Sequence, residues 1–239
     1  MRPDLGQIAV EKVEITPEQR LIVLSDPRSP GADRFRYLRM RLRELGAKGQ
    51  LKSLVVTSPT PQDGKSTVAM NLATVLAESG RRQVLLVEAD LHRPSLAKTL
   101  AVTALPGLAE CLENGLNPLD AIRKIEPLHW YLLQAGNPLG NPTELLQTAS
   151  LPAVLDTLTS HFDWVIVDTP PMVPLTDALC LSRLVDAVLL VLRAGKTPQD
   201  TVHEALGLLG PGKVAGLIFN GAEDLSRLYE KYAGYYGRK

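Results

Sequence analysis

Residues Ser58-Pro59-Thr60-Pro61-Gln62-Asp63-Gly64-Lys65-Ser66-Thr67 are built to hold phosphate. They follow an apolar run, Leu54-Val55-Val56, and lead into a helical pattern of Val68, Ala69, Leu72, Val75 and Leu76. A loop that ends a strand and opens a helix aims backbone N–H groups and the positive end of the helix dipole at an anion. In Gly-Lys-Ser-Thr, the Lys65 ammonium can reach the outer phosphates of a nucleoside triphosphate, and the Ser66 hydroxyl can ligate Mg²⁺. Pro59 stands where such loops usually begin with glycine. Pro59 and Pro61 both lack an N–H. The phosphate donors therefore fall to Gln62, Asp63, Gly64, Lys65, Ser66 and Thr67. The plainer alternative is an ordinary strand-to-helix turn, with Gly64 relieving strain and Lys65 solvated.

Two acidic segments give this loop its counterpart: Val84-Leu85-Leu86-Val87-Glu88-Ala89-Asp90-Leu91-His92-Arg93-Pro94 and Trp164-Val165-Ile166-Val167-Asp168-Thr169-Pro170-Pro171. Mg²⁺ beside phosphate takes one or two carboxylates and keeps several waters. Asp168, at the end of an apolar run, is placed to hold a metal-bound water, and Ser66 and Asp90 complete the candidate metal set. Glu88 and Asp90 are two apart, so in extended backbone they point the same way. One can touch the metal's shell while the other takes a proton from an attacking hydroxyl. The spacing leaves open which is the base, so Lys65, Glu88 and Asp90 form the candidate catalytic set.

These groups need elements to position them. Short apolar runs at Leu54–Thr57, Val84–Val87, Trp130–Leu133, Trp164–Val167, Ala187–Leu192 and Val214–Phe219 alternate with helical patterns, notably Ser66–Ser79 and Leu151–His161. Near-continuous apolar strands are covered on both faces. The alternation predicts an α/β fold: a mostly parallel central sheet with helices on both faces. Such sheets bind ligands at the carboxyl ends of their strands, where Thr57, Glu88 and Asp168 converge. Phe35, Leu38, Leu42 and Leu45 recur at helical spacing and predict a helix over about 32–46, ended at Gly46. Residues 1–31 are polar and proline-bearing and read as an extended N-terminal arm.

Composition sets further bounds. The chain has 239 residues, 45% of them hydrophobic, and a formal net charge of +0. It has no bulk field for nucleic acid or a membrane surface. No apolar run approaches the roughly 20 residues of a membrane helix, and the first residues carry no secretory core. Cys111 and Cys180 have no metal spacing and read as reduced thiols in a cytoplasmic protein.

With its three motifs in order at 58–67, 88–94 and 165–171, the sequence resembles the bacterial tyrosine kinases (BY-kinases) of capsule and exopolysaccharide assembly. Their second motif has the form Asp-x-Asp-x-Arg, and their third ends Asp-x-x-Pro. Leu132-Leu133-Gln134-Ala135-Gly136 and Asn141-Pro142-Thr143-Glu144-Leu145-Leu146 resemble the family's stretch before the third motif. The wider superfamily holds the deviant-loop ATPases of septum placement and plasmid partition, so the resemblance implies a P-loop NTPase fold of the MinD/SIMIBI-like kind. It implies ATP and Mg²⁺ as cofactors and a kinase domain over 32–225. It also implies a separate membrane activator or polysaccharide co-polymerase, which would recruit the chain to the inner face of the membrane. Asp33-Arg34-Phe35-Arg36-Tyr37-Leu38-Arg39 resembles the Glu-x-x-Arg-x-x-Arg helix that assembles the family's rings. That implies an intersubunit role for Asp33, Arg36 and Arg39; the alternative is a solvated basic face. Asn220 matches the position where relatives recognise adenine; the alternative is a simple turn residue.

Some positions depart from the family. Gln62 stands where the loop often has glycine, which would be unfavourable if the site needs positive φ. Glu88 replaces Asp, His92 replaces Arg and Asp33 replaces Glu.

Four of the six tyrosines, Tyr229, Tyr232, Tyr235 and Tyr236, fall in the last eleven residues. A terminal amphipathic helix could explain Tyr229, Tyr232 and Tyr236. Beside a triphosphate site, 226–239 reads instead as a tail of phosphoacceptors, each phosphate adding about −1.5 to −2 charge. Three functions compete: an autokinase acting on this tail, a partition-type ATPase switch, and a nucleotide-bound scaffold of the polysaccharide machinery.

Overall fold

The computed structural model describes residues 5, 8–47, 51–173 and 176–222. In chain order it contains β1 (Val10–Lys12), α1 (Ile22–Ser25), α2 (Pro30–Ala47), β2 (Ser53–Thr57), α3 (Lys65–Ala77), β3 (Val84–Glu88), α4 (Leu96–Leu100), α5 (Leu108–Asn114) and α6 (Pro118–Ala121). Beyond these lie β4 (Ile122–Glu126), β5 (Trp130–Leu133), α7 (Pro142–Leu145), α8 (Ser150–His161), β6 (Trp164–Asp168), α9 (Asp177–Leu184), β7 (Ala187–Arg193), α10 (Gln199–Leu209) and β8 (Val214–Asn220).

The strands form one sheet in the order β1-β4-β5-β3-β6-β2-β7-β8. The six apolar runs of the sequence are its six mutually parallel strands. Alternate side chains feed two cores. Leu54, Val56, Leu86 and Ile166 face one side, where α3 lies; Val55, Leu85, Val87, Val165 and Val167 face the other, with residues of α5 and α8. Burial on both faces is why these strands read as unbroken apolar runs.

Two strands were not expected. β4 pairs antiparallel with β5, and β1 pairs with β4 at the sheet's rim. Their sequences, Ile122-Arg123-Lys124-Ile125-Glu126 and Val10-Glu11-Lys12, are more than half charged because they lie toward an edge that meets water. The described residues among the first thirty-one differ from the expected extended arm. They contribute β1 and α1, and Leu21 and Gln19 are buried. Asn71 on α3 holds this segment, donating to the Arg20 carbonyl and accepting from the Val23 amide.

The two central strands set the site. β2 lies between β6 and β7, and β3 lies beside β6, with Glu88 opposite Asp168 in register. The loops after β2, β3 and β6 therefore open at one sheet edge. No described helix is long and apolar enough to cross a membrane.

Candidate nucleotide site

The loop after β2 is fixed by its own polar groups. Asp63 is buried, and its carboxylate accepts from the Thr60 amide, the Thr60 hydroxyl and the Thr197 hydroxyl at 3.1, 2.9 and 2.9 Å. The Ser58 hydroxyl donates to the Thr60 carbonyl at 2.7 Å. Asp63 thus spends its side chain on the loop and leaves its amide for a ligand. Gln62 has φ 66°, so the position where relatives often carry glycine does use the left-handed region, at an energetic cost for glutamine. Its carbonyl lies 3.5 Å from the Arg193 guanidinium.

Gly64 caps α3 with φ 95°. A Cβ there would stand 2.0 Å from the Asn220 side-chain nitrogen, which donates to the Asp63 carbonyl at 2.9 Å. Glycine is required on both counts. Lys65, Ser66 and Thr67 then form the first turn of α3, whose N–H groups have no helical partner and point to the sheet's ligand edge.

The acidic residues diverge. Asp90 faces the phosphate loop: one oxygen lies 3.3 Å from the Lys65 ammonium, and the other accepts from the Arg93 amide at 3.0 Å. Glu88 faces elsewhere. One of its oxygens accepts from the Ser95 and Leu96 amides at 2.5 and 2.6 Å, at the start of α4. The other takes the Ala135 amide at 3.4 Å. Burial pushes the Glu88 carboxyl above the usual carboxylate range, and these amides pull it partly back. The expected common direction of the two carboxylates is not seen, because the extended backbone ends at Glu88 and Asp90 lies in the turn beyond.

Asp168 is fully buried at the end of β6. Neither of its oxygens has a hydrogen-bond partner of ordinary geometry among the described residues. Burial pushes its carboxyl up to about 7, while the Lys65 charge and the nearby Ser66 hydroxyl pull the other way. A buried carboxyl with so few hydrogen bonds, beside Ser66, fits a cation that keeps most of its waters. No cluster of three or more His, Cys, Asp or Glu side chains suited to a metal occurs among the described residues. Ser66 and Asp168 would hold such a cation, which would neutralise charge on a bound phosphate; the described residues do not form an all-protein metal cage.

Known proteins resemble this chain in sequence and fold. A family model described as "ParA: NUBPL iron-transfer P-loop NTPase" matches residues 51–203. The tyrosine-protein kinase YwqD of Bacillus subtilis is 32% identical over 224 residues, covering 93% of each chain. The succinoglycan biosynthesis transport protein ExoP of Rhizobium meliloti is 31% identical over 93% of this chain, which spans 30% of that longer protein. The solved kinase domain of the Escherichia coli tyrosine kinase ETK superposes with a TM-score of 0.80 at 26% identity, covering 92% of this chain and 94% of that one.

The chain belongs to the bacterial tyrosine kinases.

Elsewhere in this kinase fold, Asp33 and Arg36 pair with each other at 2.7 Å on α2, and Arg36 also donates to the Pro27 carbonyl. Arg39 donates to the Val75 carbonyl of α3 at 3.2 Å. All three have partners within the chain, so any contact with a neighbouring copy would share or exchange them. Tyr37 and Met40 stand exposed on the same helix. Tyr229, Tyr232, Tyr235 and Tyr236 lie outside the described residues.

Sequence reasoning missed three polar groups of the kinase site. Thr197, before α10, braces Asp63. Thr143 and Asp177 join His92, which the sequence marked only as a departure from Arg. Thr197 and Asp177 look like ordinary residues at helix starts, and only the fold shows what they touch. Cys111 is inert: burial pushes its thiol up to about 11.

Proposed function

We propose that this chain is an ATP- and Mg²⁺-dependent protein-tyrosine kinase. It phosphorylates its own C-terminal tyrosines between neighbouring copies and thereby regulates the synthesis and export of a capsular polysaccharide or exopolysaccharide. The observation that carries the reading is the meeting of Lys65, Asp90 and the buried Asp168, whose oxygens have no hydrogen bond of ordinary geometry among the described residues, beside a phosphate loop. The amides of residues 62–67 cradle the phosphates, and the Asn220 side chain borders the place of the base. Mg²⁺ held near Ser66 and Asp168 would neutralise charge on the phosphate oxygens.

Asp90 is the proton acceptor in this reading, because Glu88 is committed to the amides of α4. As a tyrosine oxygen bonds to the γ-phosphorus, its proton passes to the Asp90 carboxylate. The bond from the γ-phosphorus to the bridging oxygen breaks, and ADP leaves. Lys65 stabilises the charge that builds on the transferring group. Tyr229, Tyr232, Tyr235 and Tyr236 are the acceptors, and Asp33, Arg36 and Arg39 supply the contact between copies. A separate membrane-bound polysaccharide co-polymerase is the activator in this reading and holds the cytoplasmic kinase at the membrane; the longer relative ExoP is named a succinoglycan biosynthesis transport protein.

Incubation with γ-labelled ATP tests the reading. Label should appear on the four tail tyrosines and vanish in the chain carrying phenylalanine at all four. Release of free phosphate alone would make the chain an ATPase switch. ATP affinity with neither product would make it a scaffold.

A further inference from the structure

Three loops at the ligand edge are tied together by one buried carboxylate. Asp177 opens α9 with its side chain fully buried. One of its oxygens accepts from the Thr143 hydroxyl of α7 at 2.8 Å, and the other accepts from His92 Nε2 at 2.9 Å. Against a carboxylate oxygen, His92 Nε2 is assigned as the donor. The same nitrogen lies 3.2 Å from the Thr143 oxygen. A buried carboxylate is expensive unless donors surround it, so these contacts hold each other in place.

His92 lies in the turn that presents Asp90. The strand stops at Glu88, and its last tie to the sheet is the Ala89 amide, which donates to the Asp168 carbonyl of β6 at 2.8 Å. Glu88 pins the far end of the segment through the Ser95 and Leu96 amides. Its middle is pinned by the Arg93 amide on Asp90 and by His92 on Asp177. Phosphoryl transfer is sensitive to such placement: a displacement of about 1 Å can lower a rate about 100-fold.

We infer that His92, clasped to Asp177 and Thr143, is a positioning residue that holds the Asp90 turn against Lys65 for phosphoryl transfer. The inference rests on the kinase reading above. The clasp requires a side chain that donates to Asp177, which arginine can also do and alanine cannot.

The test uses the full chain and its His92→Ala and His92→Arg variants. In His92→Ala, kcat for tail phosphotyrosine should fall between about tenfold and 100-fold. The KM for ATP and the calorimetric affinity for ADP with Mg²⁺ should change by less than about twofold. Hydrogen exchange at the Arg93 amide should speed up in the same variant. His92→Arg should restore both kcat and amide protection. Unchanged Arg93 exchange and kcat in His92→Ala would overturn the inference. So would a drop in melting temperature and ADP affinity that arginine does not rescue, which would assign His92 to packing alone. If the natural chain forms no phosphotyrosine, the kinase reading fails, while amide exchange still decides the clasp.

Discussion

The loop at residues 58–67 and the segment at 88–96 meet across one site, yet they are built in opposite ways. The phosphate loop is held largely by its own residues, Ser58, Thr60 and Asp63, with Thr197 and Asn220 as outside braces. The acidic segment hangs on partners from α4, α7 and α9. A phosphate cradle must offer backbone amides in a fixed curve, which local bonds can define. A proton acceptor must sit at a set distance from a group on another element, which only long-range contacts can define. Glu88 and Asp90 show the consequence: two carboxylates two residues apart, one spent on structure and one left facing the lysine.

Four measurements would break or sharpen this contrast. The largest effects belong to the groups that meet. Lys65→Met should lower tail phosphorylation by about 10³-fold or more, and Asp90→Asn by about 10² to 10⁴-fold, with fold and melting temperature retained. Equal loss from Glu88→Gln would erase the distinction between the two carboxylates.

Next comes the phosphate loop itself. Gly64→Ala places a Cβ 2.0 Å from the Asn220 nitrogen at φ 95°. Calorimetry should show affinity for ADP with Mg²⁺ falling at least about tenfold, or about 1.4 kcal/mol. An unchanged affinity would mean that Asn220 moves aside freely.

Glu88 gives a stability effect. Glu88→Ala leaves the Ser95 and Leu96 amides without their acceptor and should cost about 2–3 kcal/mol, read as a lower melting temperature. Glu88→Gln keeps an oxygen for both amides and should retain most of the stability and activity.

The remaining measurement is the pH dependence of Asp168. Its carboxyl is pushed up to about 7 by burial, against about 4 in an unfolded chain. The contribution of Asp168 to the stability of the ligand-free protein should therefore be full below about pH 4, be lost as pH rises toward about 7, and level off above. Asp168→Asn should flatten that part of a thermal-melt series. Cation binding needs the charged form, so the magnesium-dependent part of nucleotide affinity should weaken as pH falls below about 7, and binding should release a proton.

Much of this was legible in the residues. The six parallel strands announced themselves as apolar runs because both their faces are buried, and Gly64-Lys65-Ser66-Thr67 and Asp168 stood out because strand ends in such sheets are where ligands bind. β1 and β4 were not legible, since near an edge charge replaces apolar alternation. The different directions of Glu88 and Asp90 were hidden too, because spacing fixes direction only while the backbone stays extended.

The sequence alone determined the layered fold, the phosphate loop and its family, because burial and backbone chemistry leave local patterns. Only the tertiary structure decided which acidic residue faces Lys65, that Asp63 braces its own loop, and that His92, Thr143 and Asp177 share one buried charge. The Lys65–Asp90 contact spans 25 residues, the contacts among His92, Thr143 and Asp177 span 34 to 85, and the Thr197 brace on Asp63 spans 134, separations over which no local pattern carries information.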